Sequence, residues 1–255
     1  MGKDLDKRIS LALSGGGARG YVHLGMMEAL LSHGYQIKAI AGTSMGALIG
    51  CLAAQSMPPV DIFQLLTKTK VSEFLSPKLS LSGLISMEKF ILHYEKLLSI
   101  KDLSVSEIPI YVATTNLTVG ESIVFSIGPV GSIVAASCCV PGLFQPVEMN
   151  QQFFVDGGLT LNLPAEPLLH HPWPIFGFHS NAYPNPASLK SMKEVLEKSS
   201  QLAIYQNTKQ SMTLCKSVFE PPEMAAFSSF AFNKAEQFFD IGARFMNAAL
   251  SEVAI

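Results

Sequence analysis

Short apolar runs alternate with helical spacing from the first residues of the chain. Residues 8–14 (RISLALS) form a compact apolar run that reads as a buried strand, ending in Gly15-Gly16-Gly17. From residue 19 to residue 33 apolar positions recur every three or four residues, which predicts a helix stopped at His33-Gly34. Residues 37–41 are a second short apolar run. It enters Gly42-Thr43-Ser44-Met45-Gly46, and helical spacing resumes over residues 47–55. Strand, glycine turn and helix, twice in succession, predict a parallel sheet covered by helices. Both glycine turns then fall at the carboxyl ends of strands, where ligand groups on such sheets collect.

Further along, residues 58–98 carry mostly helical spacing, with a Ser/Leu/Gly-rich break at 76–86. Residues 108–116 and 122–127 are β-branched and apolar. Thr118-Val119-Gly120-Glu121 between them predicts a turn and an antiparallel pair. Residues 128–139 fit a tightly packed helix stopped by Pro141, and 153–155 a short strand entering Asp156-Gly157-Gly158. A strand at 175–178 and helices over 188–216 and 233–250 complete the reading. The Pro-rich stretch 171–186 is a surface connection, not a domain boundary, so one domain over residues 1–255 is expected.

Composition adds three points. Hydrophobic residues make up 48% and charged residues 15%, with a mean hydropathy of +0.31. A large core or apolar surface for a lipid substrate would each raise that figure, and composition does not separate them. The formal net charge is −2 with no Lys/Arg cluster, which argues against nucleic acid as a partner. The four cysteines (Cys51, Cys138, Cys139, Cys215) make no CxxC pair and no metal-ligand spacing, so no metal and no cofactor are expected. The apolar stretch after Arg8 is too short for a signal peptide. The long uncharged stretches 39–60 and 122–147 are interrupted by Gly, Ser and Pro, and fit buried strand-turn-helix units better than membrane spans. A cytoplasmic protein, with at most peripheral contact at a membrane, is the expectation.

The chemistry concentrates in the glycine turns. Gly42-Thr43-Ser44-Met45-Gly46 is a GxSxG sequence between strand and helix, where a strained turn exposes a nucleophilic serine; an incidental serine in a loop is the alternative. Residues 15–20 (GGGARG) also match GxGxxG. The acidic residue that a dinucleotide site needs about 20 positions on is missing, however, and so is a P-loop ending. Consecutive glycines can instead offer backbone N–H groups to an oxyanion. A serine needs a base. None of His23, His33, His93, His170, His171 and His179 lies in a glycine-framed turn near a strand end. Asp156 follows a strand and precedes two glycines, so it is either that base or an ordinary Asp-Gly turn.

GGGARG, then GTSMG, then a distant DGG resembles the patatin-like phospholipase family. So do AASCCVPGLFQPVE and FFVDGGLTLNLP, and the ending SSFAFNKAEQFFDIGARFMNAAL is similar to that of short bacterial members. The resemblance implies a three-layer α/β/α fold with a mostly parallel central sheet. It implies a catalytic pair of Ser44 and Asp156, and an oxyanion hole from Gly15, Gly16, Gly17, Ala18 and Arg19, with Arg19 bracing the loop or meeting a phosphate. Gly20, Gly42, Gly46, Gly157 and Gly158 complete the motifs. Leu161 stands where an asparagine is frequent, Asn162 is retained, and the stretch 164–186 is atypical. The implied activity is hydrolysis of fatty-acyl esters of glycerolipids, with transient contact at a membrane or micelle surface. Acyl transfer at the same site is the rival reading, a non-catalytic lipid-binding regulator the next, and nucleotide binding through GGGARG the most distant. Residues 58–98 occupy a position suited to a lid. Phe227, Phe230, Phe232, Phe238, Phe239 and Phe245 form either core or a membrane-facing stripe.

Overall fold

The computed structural model describes residues 7–69, 85–183 and 191–252. A mixed sheet of eight strands, most of its pairs parallel, lies between layers of helices. The strands are β1 (Arg8–Leu13), β2 (Gln36–Thr43), β3 (Ile110–Asn116), β4 (Glu121–Phe125), β5 (Val147–Met149), β6 (Gln152–Asp156), β7 (Ile175–Phe178) and β8 (Ser217–Phe219). The hydrogen-bonded path is β5-β6-β3-β2-β1-β7-β8, with β4 also paired to β3. Pairs β1–β2, β2–β3, β1–β7 and β7–β8 are parallel, whereas β3–β4, β3–β6 and β5–β6 are antiparallel.

The period-two alternation of strands distributes their side chains between two layers. Ile9, Leu11 and Leu13 of β1, Ile40 of β2, and Phe176 and Phe178 of β7 enter the larger core. That core is completed by α1 (Tyr21–Ser32), α2 (Met45–Ala53), α3 (Pro59–Lys68), α4 (Glu88–Leu97), α5 (Val130–Ser137) and α7 (Ala235–Glu252). The opposite face presents Ala12, Ala39, Ala41 and Ile175. These mostly small side chains let a thin layer approach, made of Leu163, Ala165, Leu168 and the far end of α6 (Met192–Met212).

The two uncharged stretches resolve as β2–α2 and β4–α5. No described helix is long and apolar enough to cross a membrane. The C-terminal phenylalanines are mainly core: Phe238 is fully buried, Phe227, Phe232, Phe239 and Phe245 pack against the core, and Phe230 alone of the six is largely exposed. Two strands depart from the expected elements. β5 precedes β6 in a hairpin, and β8 begins five residues after α6 ends, just past the helix expected over 188–216, where no element is predicted. The break at 76–86 lies almost wholly outside the described residues, as does the segment 184–190.

Four parallel strands, β1, β2, β7 and β8, end along one side of the sheet. The glycine loop, Ser44, His179 and Glu220 follow directly at those ends.

Candidate active site

Ser44 stands between the last residue of β2 and the first of α2, with φ 54° and ψ −124°. A non-glycine residue at positive φ is strained, so the surroundings must hold it. The Ser44 N–H donates to Ser137 Oγ at 2.8 Å, and the Ser137 hydroxyl donates to the Ala113 carbonyl at 2.7 Å. Thr43 Oγ1 donates to the Leu161 carbonyl at 2.8 Å. The turn is so tight that a Cβ on Gly46 would stand 2.4 Å from the Leu13 carbonyl oxygen, and one on Gly42 2.5 Å from that of Gly46. Ser44 also caps α2, whose positive end favours negative charge developing there.

Asp156 ends β6, and pairing along β3 explains why it meets the serine. Ala113 pairs with Thr43 of β2 and with Val124 of β4; Thr114 pairs with Asp156 of β6 and with Ile123 of β4. A strand has two edges. Since β4 takes one of them, β2 and β6 share the other and run toward each other. The Ser44 hydroxyl lies across this junction from the Asp156 carboxyl, close enough to favour its ionised form. Asp156 Oδ1 accepts from the Gly158 N–H at 2.8 Å. Burial pushes the Asp156 carboxyl up to about 6, against the Gly158 hydrogen bond and the nearby Ser44 hydroxyl, which pull it down. Gly157 passes under β3, where a Cβ would lie 2.4 Å from the Ala113 carbonyl oxygen. From α6, Asn207 clamps this loop: Nδ2 donates to the carbonyls of Gly158 (3.0 Å) and Leu159 (3.1 Å), and Oδ1 accepts from Asn162 N–H at 3.2 Å.

The glycine loop leaves β1 beside the serine. A Cβ on Gly15 would stand 3.1 Å from Ser44 Cβ. Three of the five implied oxyanion donors are already engaged. The Gly15 N–H donates to the Asn162 carbonyl (3.2 Å), that of Ala18 to the Ser229 carbonyl (2.7 Å), and that of Arg19 to the Gly16 carbonyl (3.2 Å). The N–H groups of Gly16 and Gly17 bond to no described residue. Arg19 is buried with the loop, and Gly20 packs against Met45.

Two histidines lie closer to this region than spacing along the chain suggests. His23 is buried with Nε2 against the Ser14 carbonyl (2.9 Å), and desolvation lowers its pKa to about 4, so the ring is neutral and donates. His179 follows the end of β7 directly, though not in a glycine-framed turn. Its Nδ1 is bonded to Glu220, which follows β8. Among the described residues no histidine bonds the Ser44 hydroxyl. The Cys138 thiol is near that hydroxyl, but burial holds it well above the usual cysteine range, so it supplies little thiolate.

The family model described as patatin-like phospholipase matches residues 11–169, well over half of the chain. This chain belongs to the patatin-like phospholipase family. An uncharacterized NTE family protein of Mycobacterium bovis is 34% identical over 165 residues, covering 63% of this chain and 45% of that protein. A lysophospholipase of Candida glabrata is 33% identical over 166 residues, covering 62% of this chain and 9% of that protein. The chain thus spans less than half the length of these relatives. Among solved structures, VipD of Legionella pneumophila superposes with a TM-score of 0.53 at 16% identity, over 92% of this chain and 67% of that one, a likeness of fold. The patatin-like segment contains the glycine loop, Ser44 and Asp156, while Ser180, Asn181, Asn207, Glu220 and Ser229 lie beyond it.

The motifs predict Ser44, Asp156 and the glycine loop, but not Ser137, Asn207 or the residues after β7. Ser137 and Asn207 sit inside helical patterns and carry no local signal. Ser180 and Asn181 had one: small polar residues directly after an apolar strand, at the ligand-binding end of a parallel sheet.

Proposed function

We propose that this protein is a lipid acyl hydrolase of the phospholipase A, lysophospholipase or esterase type, working through an acyl-Ser44 intermediate with Asp156 as its base. The observation that carries the reading is the strained Ser44 hydroxyl facing a desolvated carboxyl at the end of β6, next to a glycine loop in which the Gly16 and Gly17 N–H groups bond to no described residue. A carboxyl raised to about 6 is a better proton acceptor than an ordinary aspartate, yet it is still mostly ionised at neutral pH.

Ser44 Oγ attacks the ester carbonyl carbon as its proton passes to Asp156. The carbonyl oxygen becomes an oxyanion, held by the N–H groups of Gly16 and Gly17 and favoured by the N-terminal end of α2. Collapse breaks the bond to the alcohol, which takes the proton from Asp156 as it leaves. Water then attacks the acyl-serine, Asp156 accepts its proton, and the fatty acid departs as the proton returns to Ser44 Oγ. Both residues are only 8% exposed, so the pair is largely desolvated. The substrate is a fatty-acyl ester lipid, taken up by transient contact with a membrane or micelle.

A fluorophosphonate probe and a short-chain p-nitrophenyl ester test this. Wild type is expected to label and turn over, Ser44→Ala to do neither, and Asp156→Asn to lose turnover by several orders of magnitude. Labelling that persists in Ser44→Ala would reject the nucleophile.

A further inference from the structure

The glycine loop is held at most of its polar atoms, and among the described residues the N–H groups of Gly16 and Gly17 are left without a partner. The Ser14 carbonyl accepts from His23, the Gly15 N–H donates to Asn162, and the Ala18 N–H donates to Ser229. The Gly15 carbonyl accepts twice, from Ser180 Oγ at 3.1 Å and from Asn181 Nδ2. That carbonyl belongs to the same peptide unit as the Gly16 N–H. In a planar trans peptide the two point in opposite directions, and no described peptide bond is cis. Anchoring the Gly15 carbonyl therefore aims the Gly16 N–H away from Ser180 and Asn181.

The anchoring has work to do because this peptide joins two glycines. Glycine turns more freely about φ and ψ than any other residue, so an unheld Gly-Gly peptide samples many orientations of its N–H. Two donors on one carbonyl occupy both of its lone pairs and suppress that rotation. The donors are themselves fixed. Ser180 is fully buried, and its N–H donates to Ser14 Oγ at 3.0 Å. The residue before it, His179, donates its N–H to the Phe219 carbonyl at 3.0 Å and is bonded through its ring to Glu220. Contact is close enough that a Cβ on Gly16 would come within 2.3 Å of Ser180 Oγ.

We propose that Ser180 and Asn181 are positioning residues for catalysis, aiming the oxyanion-binding N–H of Gly16 by locking the Gly15–Gly16 peptide from behind. This rests on the reading of Ser44 as nucleophile. Neither side chain touches substrate; both act through the backbone of the loop.

The test compares an ester with its thionoester, in which the carbonyl oxygen is replaced by sulfur. Sulfur accepts hydrogen bonds poorly, so a well-aimed N–H accelerates the oxygen ester far more than the thionoester. Removing an oxyanion donor outright costs about 10²–10³ in kcat, and misaiming one should cost less. Ser180→Ala and Asn181→Ala are each expected to lower kcat on the oxygen ester by about tenfold, with KM unchanged, while thionoester turnover moves little. The double variant should lower the oxygen-to-thiono rate ratio further still. Partial unfolding would scale both substrates equally and leave the ratio untouched, so an unchanged ratio overturns the proposal. Ser44→Ala runs alongside: if it still hydrolyses the oxygen ester, the nucleophile assignment has failed; if it is inactive and the ratio is unchanged, only the positioning role has failed.

Discussion

Ser44 and Asp156 face each other across the gap between two strand ends that meet head-on along one edge of β3, opposite Ala113 and Thr114. Backbone register brings the pair together. A slip of β6 by one residue would turn Asp156 to the other face of the sheet, because successive side chains alternate. The junction also explains the demand for small groups around it. Ser137 Oγ, Gly157 and the Ser44 turn all converge on the Ala113 peptide.

The raised carboxyl makes activity depend on pH in a definite direction. Asp156 must be ionised to accept the serine proton, and burial sets its midpoint near 6. The value of kcat/KM is expected to fall about tenfold per pH unit below that point and to level off above it. A buried neutral histidine such as His23, with its pKa lowered to about 4, would place the break two units lower. A pH profile of ester hydrolysis that stays flat down to pH 4.5 would rule out Asp156 as the base.

The same shift costs stability at neutral pH. The folded pKa lies above the ordinary value of 3.8, so the folded state binds this proton more tightly than the unfolded chain. The resulting stabilisation is full below 3.8 and is lost as pH rises through about 6. By linkage, the ionised carboxylate costs up to about 3 kcal/mol above that range. Asp156→Asn carries no charge and keeps an acceptor for the Gly158 N–H. It is therefore expected to be inactive yet more stable than wild type at pH 8, with the gap closing toward pH 4. Denaturant unfolding at the two pH values measures this, and a variant less stable at pH 8 would contradict it.

The alternating first half of the fold is legible in the sequence because each strand-turn-helix unit is local and strongly patterned. The direction of β6 is not. It is set by a two-residue hairpin from β5 through Asn150 and Gln151, both at positive φ (50° and 62°). Such turns are usually marked by Asn-Gly or Asp-Gly, and Asn-Gln gives no such signal. Without that hairpin Asp156 can be placed near a strand end, but not opposite Ser44. β8 is hidden differently: its three residues, just past a long helical pattern, are too few to show an alternation of their own. The glycine loop is visible as a motif, yet the motif gives no way to tell engaged N–H groups from free ones. That depends on Asn162, Ser229, Ser180 and Asn181, whose backbone and side chains arrive from distant segments.

Asn207 is the position where a remote side chain should tune the base itself. It lies on α6, outside the segment matched by the family, and its amide makes three hydrogen bonds to the loop after Asp156. Two go to the carbonyls of Gly158 and Leu159, and the Gly158 N–H is the donor that pulls the Asp156 pKa down. Asn207→Ala removes the clamp, so the Gly158 N–H holds the carboxylate less firmly. The apparent pKa of activity should then rise above about 6, and kcat at pH 6.5 should drop more than kcat at pH 8.5. A hydrogen bond to a charged group contributes about 1.5–3 kcal/mol, so partial loosening predicts a shift on the order of half a pH unit. The pH profile of the variant separates this from simple loss of folded protein, which would lower the plateau without moving the break. A break that stays at the wild-type pH would mean that Asn207 only holds α6 to the sheet.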